Sequence, residues 1–147
     1  MSITVWVLVA LVIIGALVWM LRKRSVADGV SAYTDRRRDS SRVVSLAEFI
    51  DGSRHLPVSL ALTDLTFYYE NSDMQASLER QWIHEVEYDD ELTTGQSIGD
   101  ATVLRLRCFS QKFEFLLAPA AVLPWKAALP AHRLSAGEPV IAVAAAR

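Results

Sequence analysis

Apolar residues fall along this chain in three successive patterns: an unbroken run, an alternation at period two, and a helical spacing near the end. The run is Ile3 to Leu21, ITVWVLVALVIIGALVWML, with Thr4 its only polar side chain. At about 1.5 Å per residue it makes a helix of roughly 28 Å, close to the thickness of a bilayer's hydrocarbon core. Twelve of its residues are Leu, Ile or Val, each favourable by roughly 0.3–0.6 kcal/mol at mid-bilayer, with no charge opposing them. Trp6 and Trp19 stand near its ends, where indole rings favour the headgroup layer. Gly15-Ala16 offers a small patch for close helix approach. Arg22, Lys23 and Arg24 end the run. Residues 1–24 therefore read as a transmembrane anchor with a basic stop. The leader lacks the basic n-region and small-x-small site of a cleaved secretory signal. Positive-inside bias puts the N-terminus outside and everything after Arg24 in the cytoplasm, which predicts a single-pass inner-membrane protein.

Residues 25–44 are rich in Ser, Asp, Arg and Gly with apolar positions scattered, and read as a flexible basic linker. Ser45-Leu46-Ala47-Glu48 fits a capping box, and Leu46, Phe49 and Ile50 give one apolar face of a short helix stopped by Gly52. From Pro57 the period becomes two. Val58, Leu60 and Leu62, then Leu65, Phe67 and Tyr69 across the Thr63-Asp64 break, predict a hairpin. A turn at Asn71-Ser72-Asp73 precedes a short strand at Ala76–Leu78 and a longer one at Trp82–Tyr88. In that longer strand Trp82, His84, Val86 and Tyr88 share one face and Ile83, Glu85, Glu87 and Asp89 the other, one turned to the core and one to water.

After a glycine-bearing loop, Thr102–Cys108 and Lys112–Leu117 form a second hairpin. The stretch from Pro119 to Pro130 then reads as a helix carrying Trp125, which begins at or kinks around Pro124. The fold class is thus an N-terminal transmembrane helix plus a mainly-β domain over residues 45–133, closed by a C-terminal helix. Residues 134–147 are an apolar tail, read as a disordered end or an addition to a sheet edge.

Charge sharpens this division. Residues 22–54 hold 8 basic and 5 acidic side chains, net +3, whereas residues 55–147 hold 7 basic and 12 acidic, net −5. An acidic domain argues against nucleic acid as a ligand. Arg36, Arg37 and Arg38 in the basic segment are candidates for contact with anionic lipid, at about 1 kcal/mol per residue near a charged leaflet. A single cysteine, Cys108, permits no internal disulfide. It shares a face with Leu104 and Leu106, as an inert core thiol does. No phosphate-binding glycine loop, CxxC pair or HExxH occurs. The densest polar cluster is Glu85, Glu87, Asp89, Asp90 and Glu91 with His84, but alternation turns His84 away from Glu85 and Glu87, and the spacing fits no calcium loop. Glu85, Glu87, Asp89 and Asp90, together with Arg105 and Arg107, are therefore read as a possible partner surface. No cofactor, metal, catalytic group or small-molecule substrate is expected.

The segments LALTDLTFYYENSD, VLRLR with FEFLL, and PWKAAL resemble the pleckstrin-homology-like fold in its short bacterial and GRAM-type versions, over about Ser45 to Arg133. That resemblance implies a curved antiparallel sheet or barrel of six to seven strands with a terminal tryptophan-bearing helix. Its phosphoinositide-binding members carry a Lys and an Arg-x-Arg on the first hairpin. Here Pro57 to Glu70 contains no Lys or Arg, and the Arg105-x-Arg107 pair lies on a late strand, so headgroup specificity does not carry over. The expected function is scaffolding or recruitment: a non-catalytic module held at the membrane for an unknown membrane or cytoplasmic protein. Two alternatives stand beside it, an accessory subunit of a transport, secretion or division complex docking through its transmembrane helix, and an anionic-lipid sensor acting through the basic linker.

Overall fold

The computed structural model of the chain describes residues 3–133; the expectation for the tail at 134–147 lies outside the described residues. It opens on one helix, α1 (Ile3–Arg38), of 36 residues. Seven strands follow: β1 (Val43–Asp51), β2 (Arg54–Leu62), β3 (Thr66–Glu70), β4 (Gln75–Glu79), β5 (Ile83–Asp89), β6 (Thr102–Cys108) and β7 (Gln111–Leu117). Helix α2 (Pro119–Ala128) ends the series. The strands form a single antiparallel sheet in the order β4-β3-β2-β1-β7-β6-β5, which is open, with β4 and β5 as its edges.

The second half of α1 replaces the expected linker. Its residues bind the outer face of the sheet, and that contact supplies the free energy that their own composition does not. On β2, Val58, Leu60 and Leu62 point into the core, yet Ser59 and Ala61 on the opposite face are just as buried because α1 lies over them. Val30, 3% exposed, is the apolar contact from the helix side.

The expected helix at Ser45–Gly52 is strand β1 instead. β1 occupies the middle of the sheet, paired with β2 on one edge and β7 on the other, so ladder hydrogen bonds on both sides outweigh a one-turn cap. Val43, Ala47 and Phe49 alternate inward, and the Ser45 hydroxyl accepts the indole N–H of Trp125 at 2.8 Å. Trp125 is fully buried against Phe67, with ring centroids 5.6 Å apart. One residue thereby fastens α2 over the inner face of the sheet. Helix α2 runs through Pro124, which denies the Ala120 carbonyl its helical donor. The burial of Trp125, one residue on, offsets that loss.

Trp82 also departs from expectation. It sits in a 3-10 turn (Arg80–Trp82) and is 40% exposed. The pairing of β5 with β6 shifts register between Ile83 and Glu85. This bulge lets Ile83 and Val86, three apart, both reach the core. Past α2 the backbone returns to β5, where Val86 and His132 exchange hydrogen bonds of 2.8 and 3.0 Å.

Candidate functional site

Two clusters on the outer face of the sheet hold most of the chemistry. The first joins α1 to the sheet. Successive turns of the helix point Val30, Thr34 and Arg37 at β2 and β3, a spacing of i, i+4, i+7. Thr34 Oγ1 donates to Ser59 Oγ at 2.8 Å. Arg37 binds Glu70 with both arms, Nε to Oε2 at 3.1 Å and Nη2 to Oε1 at 2.7 Å, while its guanidinium lies 3.7 Å over the Tyr68 ring. The Glu70 side chain is only 7% exposed. Hydrogen bonding to Glu70 raises the Arg37 pKa further above its ordinary value. A bidentate, partly desolvated pair of this kind fixes direction as well as distance, so it sets the rotation of α1 about its own axis. Gln75 Nε2 donates to Tyr33 Oη at 3.1 Å and adds an outer contact.

Arg37 is therefore engaged by protein rather than left for lipid. Arg36 stacks on Tyr33, and Arg38 pairs with Asp35 at 3.1 Å. Helical rise puts Arg36 about 21 Å beyond Arg22 along α1. Lys23, by contrast, lies 5.0 Å over the Trp19 ring, at the place where an apolar span meets its polar flank.

The second cluster centres on Arg105 of β6, whose side chain is 12% exposed. Its Nε donates to Glu114 Oε1 at 3.0 Å, its Nη1 to Glu87 Oε2 at 3.1 Å and Asp89 Oδ2 at 3.0 Å, and its Nη2 to the Glu91 carbonyl at 3.0 Å. Thr93 donates its backbone N–H and its hydroxyl to the same Glu114 oxygen, at 2.9 and 2.6 Å. Arg133 reaches Glu87 from the segment after α2, and Arg107 lies 3.5 Å from Glu85. The Arg133 and Arg105 guanidiniums hold Glu87 below the usual carboxylate range. Arg105 does the same to Asp89. Burial pushes Glu114 up, but the Thr93 donors and Arg105 outweigh it and its pKa is lowered as well.

The structure thus brings Glu85, Glu87, Asp89, Arg105 and Arg107 together as sequence reading grouped them, but pairs them with one another. A basic partner at this face has to compete with an arginine already in place. Asp90 is exposed beside them, its backbone N–H donating to Asp89 at 2.8 Å. Glu114, Thr93 and Arg133 were missed. Glu114 had a visible signal, since the hairpin register sets it directly opposite Arg105. Thr93 and Arg133 come from a loop and from the segment after α2, which no strand pattern locates.

Among the described residues no group of three His, Cys, Asp or Glu side chains is placed to hold a metal ion. Cys108 is buried, and burial pushes its thiol up, away from the reactive thiolate form. No family model, curated protein or solved structure matches this chain.

Proposed function

We propose that this chain is a non-catalytic, single-pass membrane protein that presents a pleckstrin-homology-like interaction module at the cytoplasmic leaflet, held there by a stiff helical strut. One observation carries the reading: α1 is a single helix whose two halves have opposite surroundings. An 18-residue stretch of it reaches a mean hydropathy of 2.4 with no part buried, long and apolar enough to cross a membrane. Trp6, Val12 and Trp19 are each about two-thirds exposed. A continuous bare apolar surface of this size is unstable in water and calls for a lipid environment or partner helices. The other half is docked on the sheet through Val30, Thr34 and Arg37. Arg22, Lys23 and Arg24 at the boundary favour the cytoplasmic side for the domain. Seven antiparallel strands with a tryptophan-bearing terminal helix support the pleckstrin-homology-like assignment.

Tethering raises the module's effective concentration beside membrane partners, so weak contacts suffice. The test replaces Ile3–Leu21 with an unrelated apolar helix of equal length, retains Arg22–Arg38, and compares crosslinked partners in intact membranes. Retention of the crosslinks supports a presented module. Their loss overturns it in favour of a subunit docking through its transmembrane helix.

A further inference from the structure

We infer that the segment after Arg133 continues along the open edge of β5 and closes over the exposed rings of Trp82 and Phe109 with residues 140–143. The two rings are 40% and 65% exposed, with centroids 6.2 Å apart, and His84 meets the Phe109 ring edge-on at 5.3 Å. Phe109 is held there at a φ of 55°. Left-handed backbone is disfavoured for a bulky residue and is ordinarily taken by glycine or asparagine at a hairpin turn. A ring turned to solvent at such a position costs stability through its backbone and through its apolar area, and no packing among the described residues offsets either. A bilayer at the start of α1 is not the cover. Helix α1 first meets the sheet at the β3–β4 turn, where a Cβ on Gly29 would lie 3.9 Å from the Ser72 Cβ. Trp82 follows Arg80, whose backbone N–H donates to the Leu65 carbonyl in the β2–β3 turn, at the other end of β3.

The direction of the chain supplies the occupant. Val86 and His132 exchange both backbone hydrogen bonds in an antiparallel bridge, and Arg133 pairs with Glu87. Running antiparallel to β5, the backbone leaves Arg133 headed from Val86 toward Ile83 and Trp82. Trp82 stands about 13 Å of strand from Val86. Apart from the His132 bridge, the outer edge of β5 has no strand beside it among the described residues. An open edge of this kind is one that natural proteins cover. The continuation, LSAGEPVIAV, places Leu134 just past the bridge, then the turn residues Gly137-Glu138-Pro139, then Val140, Ile141, Ala142 and Val143. From His132 to Val140 the extended chain spans about 26 Å, so residues 140–143 reach the rings even after a turn at Gly137-Glu138-Pro139 shortens the path. Covering the rings removes apolar surface from water on both sides of the contact. Covalent attachment gives this segment an effective concentration of millimolar order beside the rings, which a separate partner lacks. With β5 covered, β4 is the sheet edge left to a partner strand.

The full chain, labelled with fluorotryptophan and held at one chain per detergent micelle, tests this directly. Its Trp82 fluorine resonance is identified with Trp82→Phe, and broadening by a soluble gadolinium chelate reads the exposure of that ring. The Trp125 resonance, from a ring fully buried in the domain, reports in every sample that the fold is intact. Broadening of Trp82 is expected to be several-fold weaker in the full chain than in a chain stopped after Arg133. The full-length double variant Val140→Asp, Val143→Asp is expected to match the stopped chain. Equal broadening in the native chain and the double variant, with Trp125 still protected, overturns the inference, and it does so whether or not the stopped chain folds. Protection of Trp82 that arises only when several chains share a micelle assigns the rings to a second copy and overturns it as well.

Discussion

Arg105 makes four side-chain hydrogen bonds, more than any other charged side chain among the described residues. Its guanidinium satisfies three carboxylates and a carbonyl, and without it Glu114, itself 12% exposed, keeps only the Thr93 donors. Breaking a fully buried pair costs about 3–5 kcal/mol; this cluster retains some solvent, so Arg105→Ala is expected to cost about 2–3 kcal/mol in denaturant melts. Loss of under about 0.5 kcal/mol would show that water replaces the Arg105 hydrogen bonds at little cost. The same geometry fixes a pH response. Glu87, Asp89 and Glu114 all have lowered pKa values in the folded state. Their contribution is complete above the ordinary carboxylate values of 3.8–4.5 and drains away as pH falls below them, through the lowered folded values. Thermal melts of the wild-type domain should therefore lose stability on acidification through that range, and the Arg105→Ala domain should lose much less of it.

At the scale of elements, the docking of α1 on the sheet makes its second half part of the folded domain, and Arg37 is its fastening. Arg37→Ala removes a bidentate charge-assisted pair and a cation–π contact, worth together about 1–2 kcal/mol at a site still 27% exposed on the arginine side. Amide exchange measured by mass spectrometry should speed up across residues 29–38 while the central strands β1 and β7 stay protected. Unchanged exchange in that segment would mean Val30 and Thr34 hold the helix unaided. This element was readable in the sequence only in hindsight: Val30, Thr34 and Arg37 do carry helical spacing, but two of the three are polar, and a stripe of that kind registers as linker until its partner surface is known. The two hairpins were legible because alternating Leu, Phe and Tyr leave one face no option but the core. β1 was not, since a capping-box pattern and a strand pattern coexist over Ser45–Asp51 and only the flanking strands decide between them. Alternation sets Glu85, Glu87, Asp89, Arg105 and Arg107 away from the core, but cross-strand register determines whom a charge faces, and register is a property of pairs of strands.

For the whole molecule, under the anchoring proposed above, continuity of α1 would make height and orientation above the membrane properties of the fold. About 12 Å of helix separates Leu21 from the first sheet contact at Gly29, too short a span for the domain to sweep a large volume while the helix persists. A flexible linker of comparable residue count behaves otherwise, its end-to-end distance fluctuating as the square root of its length. The distance from the bilayer surface to a label at Asp64→Cys, measured by single-molecule energy transfer in nanodiscs, is accordingly expected to be narrowly distributed in the native chain. Inserting a short Gly-Ser segment between Arg24 and Ser25 should broaden that distribution without altering the domain, because the insertion lies upstream of every α1–sheet contact described above. If recruitment depends only on local concentration, the inserted chain recruits as well as the native one; if it depends on a presented face, binding falls although the module is intact. A native distribution as broad as that of the inserted chain would refute the strut and return residues 25–38 to the role of tether.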